Sequence, residues 1–305
     1  MNNFQICEIC LPESCVMPSD NLSEPTIVDF FARSSSADSG SEADRRVIFI
    51  CIAGHQLLFQ SLNIATYVAQ QAIRAAKADN PGLLANLIRS VAVLRLGHAS
   101  MACATGNMTR AEYESCIRPM MMNASPDFSG LSSVDNWIFQ MNISELKEVV
   151  SARTGLWNSV DAKRVLLALN DYKHADKVWW VEHGRIMHTL ISGDKSLAQV
   201  EYKNQVEHGL RIAFGDFRDG LRRRAVLDAY DRFFVLRRGP VRRSQFRDNL
   251  KWCVAQMDQF QDERPELRNY WKDAVTEMFD VIDYPAGSQS AGHALPDEGV
   301  TSQSL

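Results

Sequence analysis

A histidine with two tryptophans beside it is the clearest candidate for chemistry in this sequence. In residues 177–193, KVWWVEHGRIMHTLISG, the spacing predicts one amphipathic helix with His183 in the middle of its apolar face. Trp179 and Trp180 lie one turn before this histidine, and Met187 lies one turn after it. A neutral imidazole on a rigid helix, among flat apolar side chains, suits iron ligation on the proximal side of a haem. The alternative is a hydrogen-bonded core histidine, since such histidines outnumber metal ligands.

A second candidate histidine follows an apolar run near the start of another predicted helix. His55 comes after residues 47–53, VIFICIA, and Gly54, and the helical pattern then extends to residue 78. A histidine over the open face of a haem iron can hydrogen-bond bound oxygen or transfer a proton. His98, near the end of the next predicted helix, is the rival for this role.

A serine- and glycine-rich segment lies between these histidines and the tryptophans. It spans residues 126–139, PDFSGLSSVDNWIF. Such a segment can cover a pocket, with backbone amides and hydroxyl groups turned to a ligand. It can equally be a plain connection, and the residues alone leave both interpretations open.

Taken in their order along the chain, the three segments resemble the tryptophan 2,3-dioxygenase superfamily of histidine-ligated haem enzymes. The proximal helix of that superfamily carries Trp-x-x-x-His, matched here by Trp179 and His183, with His188 downstream. Its distal segment is an apolar run that ends in His-Gln, matched by His55 and the glutamine after it. The serine- and glycine-rich segment stands in the place of the family's Ser-Gly-Phe-Gln-Ser segment. The resemblance covers residues 45–195.

The resemblance implies an all-α fold, a helical bundle of the tryptophan and indoleamine dioxygenase type around a b-type haem. In the family, the distal histidine contacts the substrate, which makes His55 the expected catalytic residue. The implied cofactor-binding residues are His183, which is also the metal ligand, Trp179, Trp180 and Met187. The implied substrate-binding residues are Phe59, Ser129, Gly130, Ser132, Ser133 and Trp137.

Two departures from the family's pattern argue against ordinary tryptophan ring opening. The family's serine-glycine segment ends in an arginine that clamps the substrate carboxylate, and Trp137 stands in that place. The family's threonine- and glycine-rich closing loop is missing after Gly193, where the chain continues DKSLAQVEY. In both respects the sequence is similar to divergent relatives in secondary metabolism, which hydroxylate or rearrange tyrosine- or tryptophan-derived substrates.

The elements that must position these residues all read as helices. Apolar residues recur at helical spacing along most of the chain, and no alternating β-branched stretch rivals them. Asn80-Pro81-Gly82 predicts a turn, and Thr109 with Glu112 predicts a capping box. The predicted helices are residues 55–78, 83–104, 109–120, 144–152, 159–193 as one helix or two, 197–214, 218–237, 242–260 and 267–281.

Arginines cluster in the last third of the chain, at residues 222–224, 237–238, 242–243 and 247. A solvated helix face with ordinary salt bridges accounts for such a cluster. Alternatively, one or two guanidinium groups anchor a haem propionate or a substrate carboxylate, which their bidentate geometry suits.

Composition excludes several classes of function. The 305 residues are 46% apolar with a net charge of −4, which suits a globular core and no binding to nucleic acid or an anionic membrane. No run of eighteen apolar residues predicts a membrane span. The seven cysteines are irregularly spaced and no signal peptide is recognisable, so we expect reduced thiols and a cytoplasmic location.

Three regions follow from these patterns. Residues 1–44 are expected to form a flexible leader, with Cys7, Cys10 and Cys15 too few for a zinc site. Residues 45–283 form the expected helical haem-binding catalytic domain, and residues 284–305 a disordered tail. Dioxygenases of the resembled family are oligomers in which an N-terminal arm reaches a neighbour, so we expect a homo-oligomer.

The sequence therefore predicts a haem-dependent oxygenase that inserts oxygen into an indole or phenol substrate derived from an aromatic amino acid. Its partners would be this small aromatic substrate and either dioxygen or peroxide, and L-tryptophan should give no N-formylkynurenine. One alternative is indole ring opening of the tryptophan 2,3-dioxygenase type. A second alternative, from another class, is a non-enzymatic helical protein that binds a partner.

Overall fold

The computed structural model describes residues 42–126, 128, 133–191 and 196–213, with short pieces at 16–17, 216–217, 237–238, 250–251, 254, 273–274, 276 and 278. Most of the leader, the tail and the three helices predicted after residue 217 lie outside these residues. So do Ser129, Gly130 and Ser132, the leader cysteines, and every arginine of the cluster except Arg237 and Arg238.

The described part of the chain is helical, and the all-α prediction is confirmed. A π-helix, Tyr113–Ile117, and a 3-10 turn, Thr154–Leu156, supplement the α-helices. Two strands of two residues each, β1 (Val16–Met17) and β2 (Arg237–Arg238), pair antiparallel with Val16 opposite Arg238. The α-helices are α1 (Glu42–Lys77), α2 (Pro81–Thr105), α3 (Arg110–Glu112), α4 (Arg118–Ala124), α5 (Val134–Arg153), α6 (Ser159–Ile191) and α7 (Leu197–Glu207).

Local capping explains where several helices begin. The Asn80 side chain accepts a hydrogen bond from the Leu83 amide at the start of α2, and Pro81 occupies the first turn. The predicted capping box at Thr109 is confirmed: its hydroxyl accepts from the Glu112 amide, and the Glu112 carboxylate accepts from the Thr109 amide. Both caps satisfy amides that have no partner inside the helix.

Helix α5 begins ten residues before the predicted start at residue 144. Ser133 supplies the cap, since its hydroxyl accepts a hydrogen bond of 3.2 Å from the Asn136 amide. Ser144 lies inside the helix, where its hydroxyl donates to the Gln140 carbonyl at 3.0 Å. Residues 159–191, which the sequence left as one helix or two, form the single 33-residue helix α6.

Helix α2 lies at the centre of the packing. It contacts α1 on one side and α6 on the other, and α1 also packs against α5. By length and composition, α1 and α2 are apolar enough to cross a membrane. However, 72% and 78% of their most apolar windows are buried inside the protein, as is typical of core helices.

Gly54 allows α1 and α2 to approach each other closely just before His55. The helix continues through Gly54 without a break. A Cβ atom at this position would overlap the Thr105 hydroxyl and lie 3.2 Å from the Thr105 Cα. The missing side chain therefore sets the spacing between the two central helices, next to a candidate catalytic residue.

Gly54→Ala should destabilise the protein by about 1–3 kcal/mol, because the added methyl group must push α1 away from α2. The midpoint of urea unfolding, followed by circular dichroism, measures this loss. Gly184→Ala on α6 is the matched control: nothing lies within 4 Å of the added methyl group, and alanine favours a helix over glycine by about 1 kcal/mol. Equal midpoints for the two variants would show that Gly54 does not set the helix spacing.

Candidate functional site

A cavity of about 270 Å³ lies between α1, the carboxyl end of α2, the π-helix, the start of α5 and the second half of α6. Its wall is mainly aliphatic and aromatic side chains. Among the described lining residues, none is a lysine, arginine, aspartate or glutamate. Besides the indole N–H groups of Trp179 and Trp180, the lining residues with a polar or thiol group are Cys51, His55, Thr105, Tyr113, Ser133, Asn136 and His183.

His55 reaches this cavity from α1 with a defined tautomer. Its Nδ1 atom lies 2.7 Å from the Cys51 carbonyl oxygen, one helical turn earlier. Because a carbonyl can only accept, Nδ1 carries the hydrogen and the lone pair of the neutral ring is on Nε2. Burial lowers the pKa of His55 to about 4, and the nearby His183 contributes to this lowering. The imidazole is therefore neutral at physiological pH, as both a metal ligand and a proton acceptor must be.

His183 reaches the same cavity from α6 and packs against its two tryptophans. Its ring stacks on Trp179 with centroids 5.2 Å apart and planes 28° apart. Trp180 meets the ring edge-on at 6.5 Å. Burial, and then the positive charge of Arg95, lower the pKa of His183, so this imidazole is also kept neutral. Two neutral histidines thus line one apolar cavity from two different helices.

A buried cation supports the tryptophan on which His183 stacks. Arg95 of α2 is fully buried, and its Cζ atom lies 4.8 Å from the Trp179 ring centroid and 5.4 Å from that of Phe139. Its Nε donates to Asp176 Oδ1 at 2.8 Å, one turn before Trp179 on α6. Cation–π contact and the ion pair together fix the tryptophan ring against α2.

The rival histidine, His98, lies behind this tryptophan and does not line the cavity. Its ring meets Phe139 edge-on at 6.1 Å and Trp179 edge-on at 6.2 Å. Burial, and then the charge of Arg95, lower its pKa well below the usual range. His98 is therefore a core residue between α2, α5 and α6.

Most of the predicted site residues that the structure describes do meet at the cavity. Trp180, although 52% exposed, belongs to the lining and marks a side of the cavity that is open to solvent. The predicted residues that line the cavity are His55, Phe59, Ser133, Trp179, Trp180, His183 and Met187.

Trp137 is the predicted residue that the structure does not bring to the cavity. It is 48% exposed. Trp137 lies in the first turn of α5, which begins at Val134 after the Ser133 cap, and it is not among the described residues that line the cavity. The prediction that Trp137 contacts substrate has no support from the cavity lining and stays a prediction.

Sequence reasoning missed several polar groups of the cavity. Tyr113 follows the capping box directly, but an aromatic residue in a first turn is no signal by itself. Thr105 and Cys51 were hidden because they belong to helices that read as core throughout. Asn136, three residues after the Ser133 cap, could have been found had the start of α5 been recognised.

The described residues contain no group of three or more histidine, cysteine, aspartate or glutamate side chains that could hold a metal ion by themselves. A haem iron has a different requirement, since the macrocycle supplies four nitrogens and the protein supplies only axial ligands. Neutral His55 and His183, a flat indole and an apolar wall fit that requirement.

Comparison with known families bears on the chemistry of this site. Residues 18–160 match the model of a family described as SfmD 3-methyl-L-tyrosine peroxygenase. No curated protein matches the chain. The matched stretch includes His55, Tyr113 and Ser133 and ends at the start of α6, before Trp179 and His183. By this match the chain is an enzyme, an oxidoreductase similar to peroxygenases that act on an aromatic amino acid, rather than a non-enzymatic binding protein.

Proposed function

We propose that this protein is a haem-dependent oxygenase of secondary metabolism that inserts one oxygen atom from peroxide into a phenol or indole ring. The substrate would derive from an aromatic amino acid. The observation that carries this proposal is the apolar cavity lined by two neutral histidines from separate helices. The match to a peroxygenase family favours peroxide over dioxygen and a phenol over an indole.

His183 is proposed to hold the haem iron, with Trp179, Trp180 and Met187 against the macrocycle. The stacked pair of His183 and Trp179 presents a flat apolar surface, and the buried Arg95, paired with the partly exposed Asp176, keeps the indole in place. When bound, a b-type haem would supply the chemistry that activates peroxide for transfer of one oxygen atom. The protein's own contribution is to bind, orient and exclude water.

His55 is proposed to handle protons at the reacting centre. Its neutral ring carries hydrogen on Nδ1, held by the Cys51 carbonyl, and presents the basic lone pair on Nε2. Overall, one oxygen atom of peroxide enters the ring as a hydroxyl group, the displaced ring hydrogen leaves as a proton, and the other oxygen leaves as water. A neutral base can accept a proton from peroxide and later release it to that water, so no external reductant is required.

The apolar wall would hold the aromatic ring of the substrate. Phe59 from α1 lies almost fully buried in the lining, and its ring centroid is 6.5 Å from that of His55. Ser133 offers a hydroxyl whose oxygen already accepts from the helix, which leaves its hydrogen to donate. Indole ring opening has no comparable support, since the matched family consists of peroxygenases.

Isotope labelling tests the proposal. The purified protein should show a Soret band that shifts on addition of cyanide, which identifies a haem with an open coordination site. With 3-methyl-L-tyrosine and ¹⁸O-labelled hydrogen peroxide, we expect one labelled atom in a ring-hydroxylated product, measured by mass spectrometry.

The matched control uses unlabelled peroxide under ¹⁸O-labelled dioxygen and should give an unlabelled product. L-Tryptophan should give no N-formylkynurenine in either arm. Two atoms from labelled dioxygen in a ring-opened tryptophan product would instead establish a dioxygenase. Absence of any Soret band would contradict the proposal that the protein binds haem.

A further inference from the structure

We propose that Tyr113 is a specificity-determining residue of the cavity, whose hydroxyl donates a hydrogen bond to an uncharged oxygen on the aromatic ring of the substrate. The proposal rests on the cavity being the substrate site, as proposed above. Three observations support it: the π-helix that begins at Tyr113, the weak hydrogen-bond acceptor of the Tyr113 hydroxyl, and the absence of charged residues from the described lining of the cavity.

An unusual backbone turn places Tyr113 in the cavity. Tyr113–Ile117 is a π-helix between α3 and α4, with the Arg118 amide donating to the Tyr113 carbonyl five residues earlier. Such turns are rare and occur frequently at functional sites, because the wider turn redirects side chains. Tyr113 and Ile117, the two ends of this turn, both line the cavity.

The Tyr113 hydroxyl has a weak acceptor in the structure. It points at the Met121 sulfur atom, 4.0 Å away. A thioether accepts hydrogen bonds poorly, and the phenol is only 7% exposed. Burial raises the pKa of Tyr113 to about 12, which keeps the hydroxyl protonated as a donor. A ligand oxygen would therefore give this group a better partner than it now has.

Because the described lining is uncharged, it favours a neutral oxygen over a charged one as the partner of the Tyr113 hydroxyl. None of the lining residues described by the structure carries a full charge, so a carboxylate or ammonium group deep in the cavity would go without an ionic partner. The carboxylate and ammonium groups of a ligand are therefore expected to lie at the open side of the cavity, near Trp180, which is 52% exposed. A neutral ring oxygen can enter as far as Tyr113 at little cost.

A matched pair of ligands and a matched pair of variants test this assignment. The ligands are 3-methyl-L-tyrosine and 3-methyl-L-phenylalanine, which differ only in the ring oxygen. The variants of the haem-loaded full chain are Tyr113→Phe, which removes the hydroxyl, and Met121→Leu, which removes its present acceptor and keeps the apolar volume. Dissociation constants are measured from ligand-induced changes in the Soret spectrum.

The wild-type protein should bind the phenol about 5–10-fold more tightly than the phenyl compound, as expected for one hydrogen bond. Tyr113→Phe should remove that preference by weakening phenol binding alone, with an unchanged thermal midpoint. Met121→Leu should keep or increase the preference, since the hydroxyl loses its competing acceptor.

Equal weakening of both ligands by Tyr113→Phe would show that Tyr113 only shapes the cavity and would overturn the inference. Unchanged dissociation constants for both ligands in this variant would overturn it as well, while leaving the proposed function in place. Failure of either ligand to bind the haem-loaded wild-type protein would overturn the proposed substrate class, and the inference with it.

Discussion

His183→Ala should abolish or greatly weaken haem retention while the helical circular dichroism stays unchanged. Replacing a residue that merely orients a ligand costs a metal site about 10–100-fold in affinity, so loss of the axial ligand itself should cost at least about 100-fold. The ring is held by stacking on Trp179 at 5.2 Å, and its removal leaves the ion pair of Arg95 and Asp176 intact. Haem content per protein, from the Soret absorbance, measures the effect.

His188→Ala is the matched control for this experiment. His188 lies on the same helix, five residues further along, but its side chain is exposed and does not line the cavity. The variant should keep its haem and an unaltered spectrum. If His183→Ala kept full haem content and His55→Ala lost it, the two histidines would have exchanged roles. The hydrogen bond from His55 Nδ1 to the Cys51 carbonyl, an arrangement typical of metal-bound histidines, would then be the explanation.

His55→Ala should retain haem and lower turnover by roughly a hundredfold or more, the usual loss when a general acid–base is removed. Alanine has no group that can take the proton from peroxide. Turnover of 3-methyl-L-tyrosine with peroxide, at saturating concentrations of both, measures the effect. Free imidazole should restore part of the activity, because it can enter the space that the side chain leaves.

The pH profile supplies an independent readout for His55. Its pKa is lowered to about 4, so the basic form is present at neutral pH and is lost only as the pH falls through that value. Wild-type turnover should therefore show no inflection from His55 between pH 6 and 8 and should fall towards pH 4. The residual turnover of His55→Ala should lack that acid limb. Unaltered turnover in the variant would mean that His55 is structural.

Local spacing was enough to identify the parts of the site that lie on one helix. Trp179 and His183 are four residues apart, which places them on one helical face whatever the rest of the chain does. That spacing brings the two rings within reach of each other, and the structure shows them stacked with their planes 28° apart. The capping box at Thr109 was equally local, since its two hydrogen bonds span three residues. The turn at Asn80 and the all-α class depended on the same kind of short-range pattern.

Helix boundaries and rotations were harder to predict, because they depend on what each face meets. The start of α5 at Val134, after the Ser133 cap, was hidden in a segment that reads as a loop. The exposure of Trp137 and the place of Asn136 in the cavity lining were hidden with it. His55 and His98 both lie on long apolar helices, so their sequence contexts are nearly equivalent. Packing alone turns the first into the cavity and the second behind Trp179.

Short-range geometry therefore determined from sequence that the chain is helical and that His183 and Trp179 share one face of a helix. Contacts between residues far apart in the chain were decided only by the tertiary structure. Arg95 meets Asp176 across 81 positions, and nothing in the sequence pairs them before α2 packs on α6. The close approach at Gly54 exists because Thr105 lies opposite it, and Tyr113 enters the cavity because a π-turn widens the helix there. Each of these depends on the free energy of packing whole helices together, which a pattern of three or four residues does not contain.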